Sequence, residues 1–420
     1  MNAAAYPSSA AIPPGRSPDK PDAPELAVVW DSLGPYHFAR LRALAAVSPY
    51  RVHAVQIAER TATYNWLQQS STDILKVETL VTGQTSEQVS AAQVFLAFRR
   101  FLSRRQIRTV FLPSYWPAAS AALLLAARSR RVRTVMMNDS HAGTEKATGF
   151  KRIVKKALLS QFDAALVAGT PQARHFARLG MPAACIFTGY DVIDNDYFIT
   201  ESESARATAA VWRQRLGLPQ RYILSLGRLV PKKNLPVLVR AYAKLVREWG
   251  SGDPPALVFV GSGPEDATLK ELCGALELPI QEARSGQAAA PRSMPGRCSV
   301  VYFHAACGIA ESPMYYSLAD VFVLPSKTEE WGLVVNEAMA CGLPVIVSNT
   351  AGCAEDLVRE AENGYTFTAQ DAVELAARLR DVLYDEPLRR AMGVRSKEII
   401  APWSCQFFAQ QALRALAAAK

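Results

Sequence analysis

A chain of 420 residues, half of them apolar and a fifth charged, is long enough for two or three domains with buried cores. Its net charge of +9 comes entirely from residues 1–200, which hold 23 Lys and Arg against 14 Asp and Glu, whereas residues 201–420 hold 24 of each. No apolar run is long enough to span a bilayer, and seven scattered cysteines without ligand spacing support neither a zinc site nor a disulfide framework.

Residues 1–24 are rich in Pro, Ala and Ser and lack a basic-then-apolar layout, so they read as a disordered leader on a cytoplasmic protein. Short apolar, β-branched segments then alternate with helical stretches. LAVVW (26–30), RVHAVQI (51–57), RTVFLPS (108–114), RTVMMN (133–138) and AALVAG (164–169) are predicted strands, and PYHFARLRALAAV, SAAQVFLAFRRFL, PAASAALLLAARS and GFKRIVKKALLSQ are predicted helices. The polar segment 196–218 reads as a connection carrying a short helix. Alternation restarts at YILSLG (222–227) and continues through ALVFVG (256–261), SVVYF (299–303), VFVLPS (321–326), PVIVS (344–348) and GYTF (364–367). Helices are predicted between these strands at about 234–249, 264–276, 311–318, 332–341 and 370–384. Residues 281–297 read as a flexible insertion.

Near-continuous apolar strands separated by helices argue for parallel sheets covered on both faces. The fold class expected is therefore α/β, with two facing Rossmann-like doubly wound domains and a cleft between them. The expected limits are 25–197, 198–402 and a final amphipathic helix, 403–420, returning to the first domain. Ligands in such sheets lie beyond the carboxyl ends of the strands.

Polar groups at those strand ends carry the chemistry. Arg228 follows YILSLG, and Lys232 and Lys233 precede a helix expected near Asn234. A glycine turn, an arginine and a lysine at a helix start make an anion cradle, although basic residues near helix starts are also common on plain surfaces. Gly261 and Gly263 either bring backbone close to a ligand or allow the turn after the next strand. Glu329 and Glu330 lie in the loop after VFVLPS. Glu337 falls on the following helix. A loop carboxylate can accept hydrogen bonds from sugar hydroxyls, and one on the helix can bind a vicinal diol such as a ribose. The alternative is two solvated glutamates before a helix packed by Leu333, Val334, Met339 and Ala340.

The stretches SLGRLVPKKN, VFVGSGP and PSKTEEWGLVVNEAMACGLPVIVSNTAGCAEDLV resemble the C-terminal domain of retaining glycosyltransferases of the GT-B fold, family four, of the group 1 type. The first half is similar in layout, through LGPYHFARLRAL, DAALVAGTPQARHFARLGMP and TGYDVIDNDYF. The resemblance implies that Arg228 and Lys233 hold the diphosphate of a nucleotide-sugar donor, that Glu329 contacts the donor sugar, and that Glu337 contacts the ribose. Gly332 and Leu333 present N–H groups, and Gly34 lets the first strand–helix loop approach the donor. Lys232 stands where the family often has glutamate. Asp139 and His141 are tentative sugar or acceptor contacts, because the family's histidine after this strand has no unambiguous register here. Tyr115 and Trp116 either shape an acceptor site or pack.

The resemblance further implies a nucleotide-sugar donor as co-substrate, no cofactor and no bound metal. The implied acceptor is a sugar or lipid-linked molecule in polysaccharide or glycolipid synthesis. Rival readings are a nucleotide-sugar epimerase of the same double fold and a non-catalytic binding scaffold. The basic runs 98–108, 128–133 and 151–156 fit either solvated helix faces or a face for anionic membrane, which would make the protein peripheral at the inner membrane surface. No nucleic-acid recognition module is present.

Overall fold

A computed structural model describes residues 24–61, 75–115, 117–145, 149–283 and 299–419. The segment 1–23, Trp116 and residues 284–297 of the expected insertion lie outside the described residues. The chain divides into two compact units, one of residues 1–194 and 403–420, the other of residues 195–402.

In the first unit seven strands form one sheet: β1 (Glu25–Trp30), β2 (Arg51–Gln56), β3 (Val77–Thr79), β4 (Ile107–Pro113), β5 (Arg133–Asn138), β6 (Ala164–Val167) and β7 (Ile186–Thr188). Their order is β3-β2-β1-β4-β5-β6-β7, and every pairing is parallel. Alternate side chains feed two cores. Helices α1 (Pro35–Val47) and α15 (Cys405–Ala418) cover one face, with Leu41, Leu44, Phe408 and Ala412 packed on Val28 and Phe111. Helices α2 (Ala91–Ser103), α3 (Ala118–Ser129), α4 (Phe150–Leu159) and α5 (Thr170–Arg178) lie over the other, where Phe98, Leu123, Leu159 and Phe176 meet Val29 and Val110. Burial on both faces explains why these strands read as unbroken apolar runs.

The second unit repeats the plan. The segment 196–218 is more ordered than expected, forming two helices, α6 (Asn195–Ala207) and α7 (Ala209–Leu216). Its polar residues mask a buried stripe of Tyr197, Phe198, Ser202 and Ala205. Strands β8 (Tyr222–Leu226), β9 (Ala256–Val260), β10 (Ile280–Ala283), β11 (Val301–His304), β12 (Val321–Leu324), β13 (Val345–Ser348) and β14 (Gly364–Phe367) take the order β10-β11-β9-β8-β12-β13-β14. The start of the expected insertion is thus an edge strand, pairing Ile280 with Val301 in parallel. The helices here are α8 (Leu235–Glu248), α9 (Asp266–Ala275), α10 (Ser312–Ser317), α11 (Leu333–Ala340), α12 (Ala354–Leu357), α13 (Ala372–Tyr384) and α14 (Glu386–Ile400). Leu238, Tyr242, Leu379 and Met392 close one face over Ile223, Phe259 and Ile346.

One irregularity positions the site. β8 pairs with β9 along its whole length, from Tyr222–Ala256 to Leu226–Val260. Its pairing with β12 stops after Val321–Ile223 and Phe322–Leu224. The chain order also reverses between these strands, so their carboxyl ends part at the switch point and leave a crevice.

Candidate active site

Two loops border that crevice. The first, after β8, runs through Gly227 and Arg228 into a single 3-10 turn, Pro231–Lys233, rather than directly into a helix. Asn234 then takes a left-handed conformation (φ 53°), which asparagine tolerates better than most residues. Its buried amide donates to the Pro325 carbonyl (3.1 Å) and the Ala369 carbonyl (2.6 Å), tying the lysine-bearing turn to the β12 side. The helix begins at Leu235. The sequence pattern could mark Asn234 as a helix boundary, but its two partners are distant in sequence and had no signal.

The second loop, after β12, is anchored by its backbone. Ser348 and Thr350 hydroxyls donate to the Ser326 carbonyl at 2.7 and 2.8 Å, and Gly352 N–H donates to the Glu329 carbonyl at 3.0 Å. Trp331 is buried and donates through Nε1 to Asn336 on α11 (2.9 Å). Gly332 sits at φ 107°, where a Cβ would stand 2.9 Å from Leu324 Cδ2 and 3.4 Å from Glu329 Cγ. Glycine is required here by both conformation and space.

The loops meet through charge. Lys233 Nζ donates to Glu329 Oε2, which also accepts from Ser326 Oγ at 2.9 Å. Lys232 donates to Glu330 at 2.8 Å and lies 3.9 Å from Glu329 Oε1. Burial opposes the charge on Lys232, but the carboxylates of Glu329 and Glu330 outweigh it and hold its pKa above the ordinary lysine value. Burial likewise opposes ionisation of Glu330, yet the Lys232 ammonium keeps its pKa lowered. Both sit as ions. A recess beside the pair is lined by Gly227, Arg228, Leu229 and Lys233 from one loop and by Leu324 and Pro325 from the other. Cationic groups in a recess at parting strand ends can receive an anion. The acidic groups beside them can accept from hydroxyls.

The expected residues therefore separate into groups. Arg228, Lys233, Glu329 and Gly332 gather at one edge. Gly261 and Gly263 stand behind it, and protein backbone fills the space beside each. A Cβ at Gly261 would be 1.9 Å from the Gly227 carbonyl oxygen, and one at Gly263 would be 2.2 Å from that of Leu229. These glycines let the β9 loop back the β8 loop. Leu333 opens α11, and Glu337 on the same helix turns to a different partner, accepting from the Tyr316 hydroxyl at 2.9 Å.

Gly34, Asp139 and His141 belong to the first unit. Gly34 caps α1 at φ −115°, a value open to any residue, and its N–H donates to His37 Nδ1 (2.9 Å). His141 is buried after β5 and accepts from Gly143 N–H (3.2 Å). Asp139 is half-buried beside it. Among the described residues no group of three His, Cys, Asp or Glu side chains is arranged to hold a metal ion.

Fold and edge define a doubly wound α/β protein whose second sheet carries an anion-receptive, acid-flanked switch point. Comparison with known proteins narrows this. Residues 220–385 match the family described as Glycosyl transferases group 1. A GDP-mannose-dependent alpha-(1-6)-phosphatidylinositol monomannoside mannosyltransferase of Mycolicibacterium smegmatis is 28% identical over 309 residues, 71% of this chain and 73% of the relative. A D-inositol 3-phosphate glycosyltransferase of Thermomonospora curvata is 32% identical over 200 residues, 47% of this chain and 43% of the relative. Among solved structures, Anabaena HepE in complex with UDP superposes with a TM-score of 0.67 at 19% identity, covering 94% of this chain and 99% of that one. Residues 220–385 thus resemble the glycosyltransferases of the group 1 type, and the chain has the two-domain α/β architecture of GT-B structures. No helix of the described residues is long and apolar enough to cross a membrane.

Proposed function

We propose that this protein moves a sugar from a nucleoside-diphosphate sugar to an acceptor hydroxyl with retention of anomeric configuration, using no bound metal or cofactor, in glycolipid or polysaccharide synthesis. The observation that carries the reading is the Lys233–Glu329 pair across the β8/β12 crevice, with Arg228 lining the same recess. In this scheme the donor diphosphate takes up the charge of Arg228 and Lys233, and both cations offset the negative charge that grows on the phosphate as the glycosidic bond breaks. Such stabilisation acts mostly in the transition state, which is where it raises turnover. Glu329, released from Lys233, accepts from hydroxyls of the donor sugar. Gly332 and Leu333 offer backbone N–H groups beside it, and Glu337, which already accepts from the Tyr316 hydroxyl, accepts from the ribose. The departing phosphate oxygen takes the acceptor proton, so the protein's part is positioning and electrostatics.

Relatives named for phosphatidylinositol mannoside and inositol phosphate acceptors support a polar, lipid-linked or phosphorylated acceptor. Asp139 and His141 are the first unit's candidates for contacting it. The place of work is the cytoplasm, at the inner membrane surface where such acceptors lie. A panel of UDP-, GDP- and ADP-sugars scored by thermal shift identifies the donor, since a ligand bound only by the native state raises its apparent stability. Product analysis by NMR then reads the anomeric configuration. An inverted linkage, or a re-configured free sugar nucleotide in place of a glycoside, overturns the proposal.

A further inference from the structure

Helix α4, Phe150–Leu159, is rolled against its own sequence pattern. At about 100° per residue, Ile153, Val154 and Ala157 fall on one side and Lys151, Arg152, Lys155 and Lys156 on the other. A helix that serves the fold alone buries the aliphatic side. Here Ile153 is 65% exposed, Val154 is 43% exposed and Ala157 is exposed, while Lys155 is 7% exposed.

The cause of the roll is visible. Lys155 Nζ donates to the Glu145 carboxylate, lies 3.3 Å from His175 Nε2, and stands 5.3 Å from the Tyr115 ring centroid and 5.9 Å from that of Phe176. Leu159, next in line on that side, enters the core under α2 and α3. Burial and the neighbouring ammonium keep the His175 pKa down, at about 4, so this histidine is a neutral acceptor for Lys155. An ion pair, a neutral imidazole and two aromatic rings thus hold Lys155 inward, and Lys151, Arg152 and Lys156 remain exposed. The aliphatic stripe faces outward with Lys151 along one edge and Lys156 and Arg152 along the other.

Single exposed apolar residues are ordinary on a soluble surface. Two adjacent β-branched residues turned out by a buried lysine are not accounted for in that way. The charge around them selects the partner. Of the four cations in residues 149–160, Lys155 is spent on Glu145, while Lys151, Arg152 and Lys156 stay exposed on a segment without Asp or Glu. The stripe is therefore framed for an anionic plane and not for a mixed-charge protein surface. The same side of the sheet carries exposed Leu96 and Leu125 on α2 and α3, with exposed Arg99, Arg100 and Arg130.

We propose that α4 is an interfacial helix. Ile153, Val154 and Ala157 enter the headgroup boundary of an anionic lipid surface, and Lys151, Arg152 and Lys156 meet its phosphates. The inference takes its purpose from the lipid-linked acceptor proposed above, but its test does not depend on turnover.

The full chain is sedimented with vesicles of phosphatidylcholine, and with vesicles also containing phosphatidylglycerol, at low and high salt. Binding is expected only to the anionic vesicles and falls as salt rises. Ile153→Ser/Val154→Ser and Lys151→Glu/Lys156→Glu each lower the partition coefficient about tenfold. Val373→Ser/Val394→Ser, which removes exposed apolar side chains of the second unit, leaves it unchanged. No binding by the wild-type chain, or equal binding by the α4 variants, overturns the proposal. So does a dimer that Ile153→Ser/Val154→Ser abolishes in a chain that ignores vesicles, since the stripe then belongs to a second copy. Donor consumption with a soluble acceptor is measured on the same proteins. Its absence in the wild type counts against the sugar-transfer reading alone and leaves the vesicle result standing.

Discussion

Lys233→Met separates what the cationic side chain does for the fold from its role in the proposed sugar transfer. Lys233 and Glu329 keep only 12% and 9% of their side-chain surface exposed, so removing one charge strands the other in a largely dry site. Breaking a fully buried pair from one side costs about 3–5 kcal/mol. Compensation is at hand, because Lys232 stands 3.9 Å from Glu329 and Ser326 donates to it at 2.9 Å. A charge at that distance is worth about 4 kcal/mol before desolvation at an effective dielectric constant near 20, and desolvation of Lys232 takes back much of it. A net loss of about 2 kcal/mol in stability follows for Lys233→Met, and a similar loss for Glu329→Gln. Turnover should fall about a hundredfold in each, the usual effect of losing one group that stabilises transition-state charge or holds the reacting sugar. The double variant discriminates. Neither charge is then stranded, so chemical unfolding of the ligand-free protein should return to within about 1 kcal/mol of wild type, while turnover stays at the level of the single variants. Additive stability losses would refute the coupling, and wild-type turnover by Lys233→Met would remove this lysine from the reaction.

Three further outcomes follow from the geometry. Gly261→Ala sets a methyl group 1.9 Å from the Gly227 carbonyl oxygen, so the β8 and β9 loops must part, and a stability loss of at least about 3 kcal/mol is expected in urea unfolding. Asn234→Ala forfeits two buried hydrogen bonds and a tolerated left-handed residue, for about 2–4 kcal/mol, whereas Asn234→Gly loses the hydrogen bonds alone and should sit between it and wild type. Burial lowers the pKa of His304 from 6.5 to about 4. Between those values the unfolded chain takes up a proton that the folded one refuses, so stability falls as the pH falls. His304 accounts for about 2 kcal/mol of the loss between pH 7 and pH 5, and His304→Gln should flatten the unfolding free energy by that amount. An unchanged pH profile would show that the imidazole is not held neutral by burial.

The sequence by itself determined the class of fold. Strands buried on both faces need unbroken β-branched runs, and such runs mark β1, β4, β9 and β13 because no other arrangement hides them. It also brought Arg228, Lys233 and Glu329 forward as one set, since each follows a strand whose end had to lie on a common edge, and the family resemblance added Gly332. The short strands β3, β7 and β10 carry three or four residues of mixed character, too few for any period to show. Helix α6 was underestimated because its exposed face is polar while its buried face is read only against α10 and α11. Tertiary structure alone decided the pairings. Lys233 reaches Glu329 only because β8 and β12 lie side by side and then part, and Glu337 turns to Tyr316 because α10 packs on α11. Likewise, periodicity shows that α4 has a basic side and an aliphatic side. Which of them faces water depends on a carboxylate and an imidazole brought up from other elements, and a one-dimensional pattern holds no record of that.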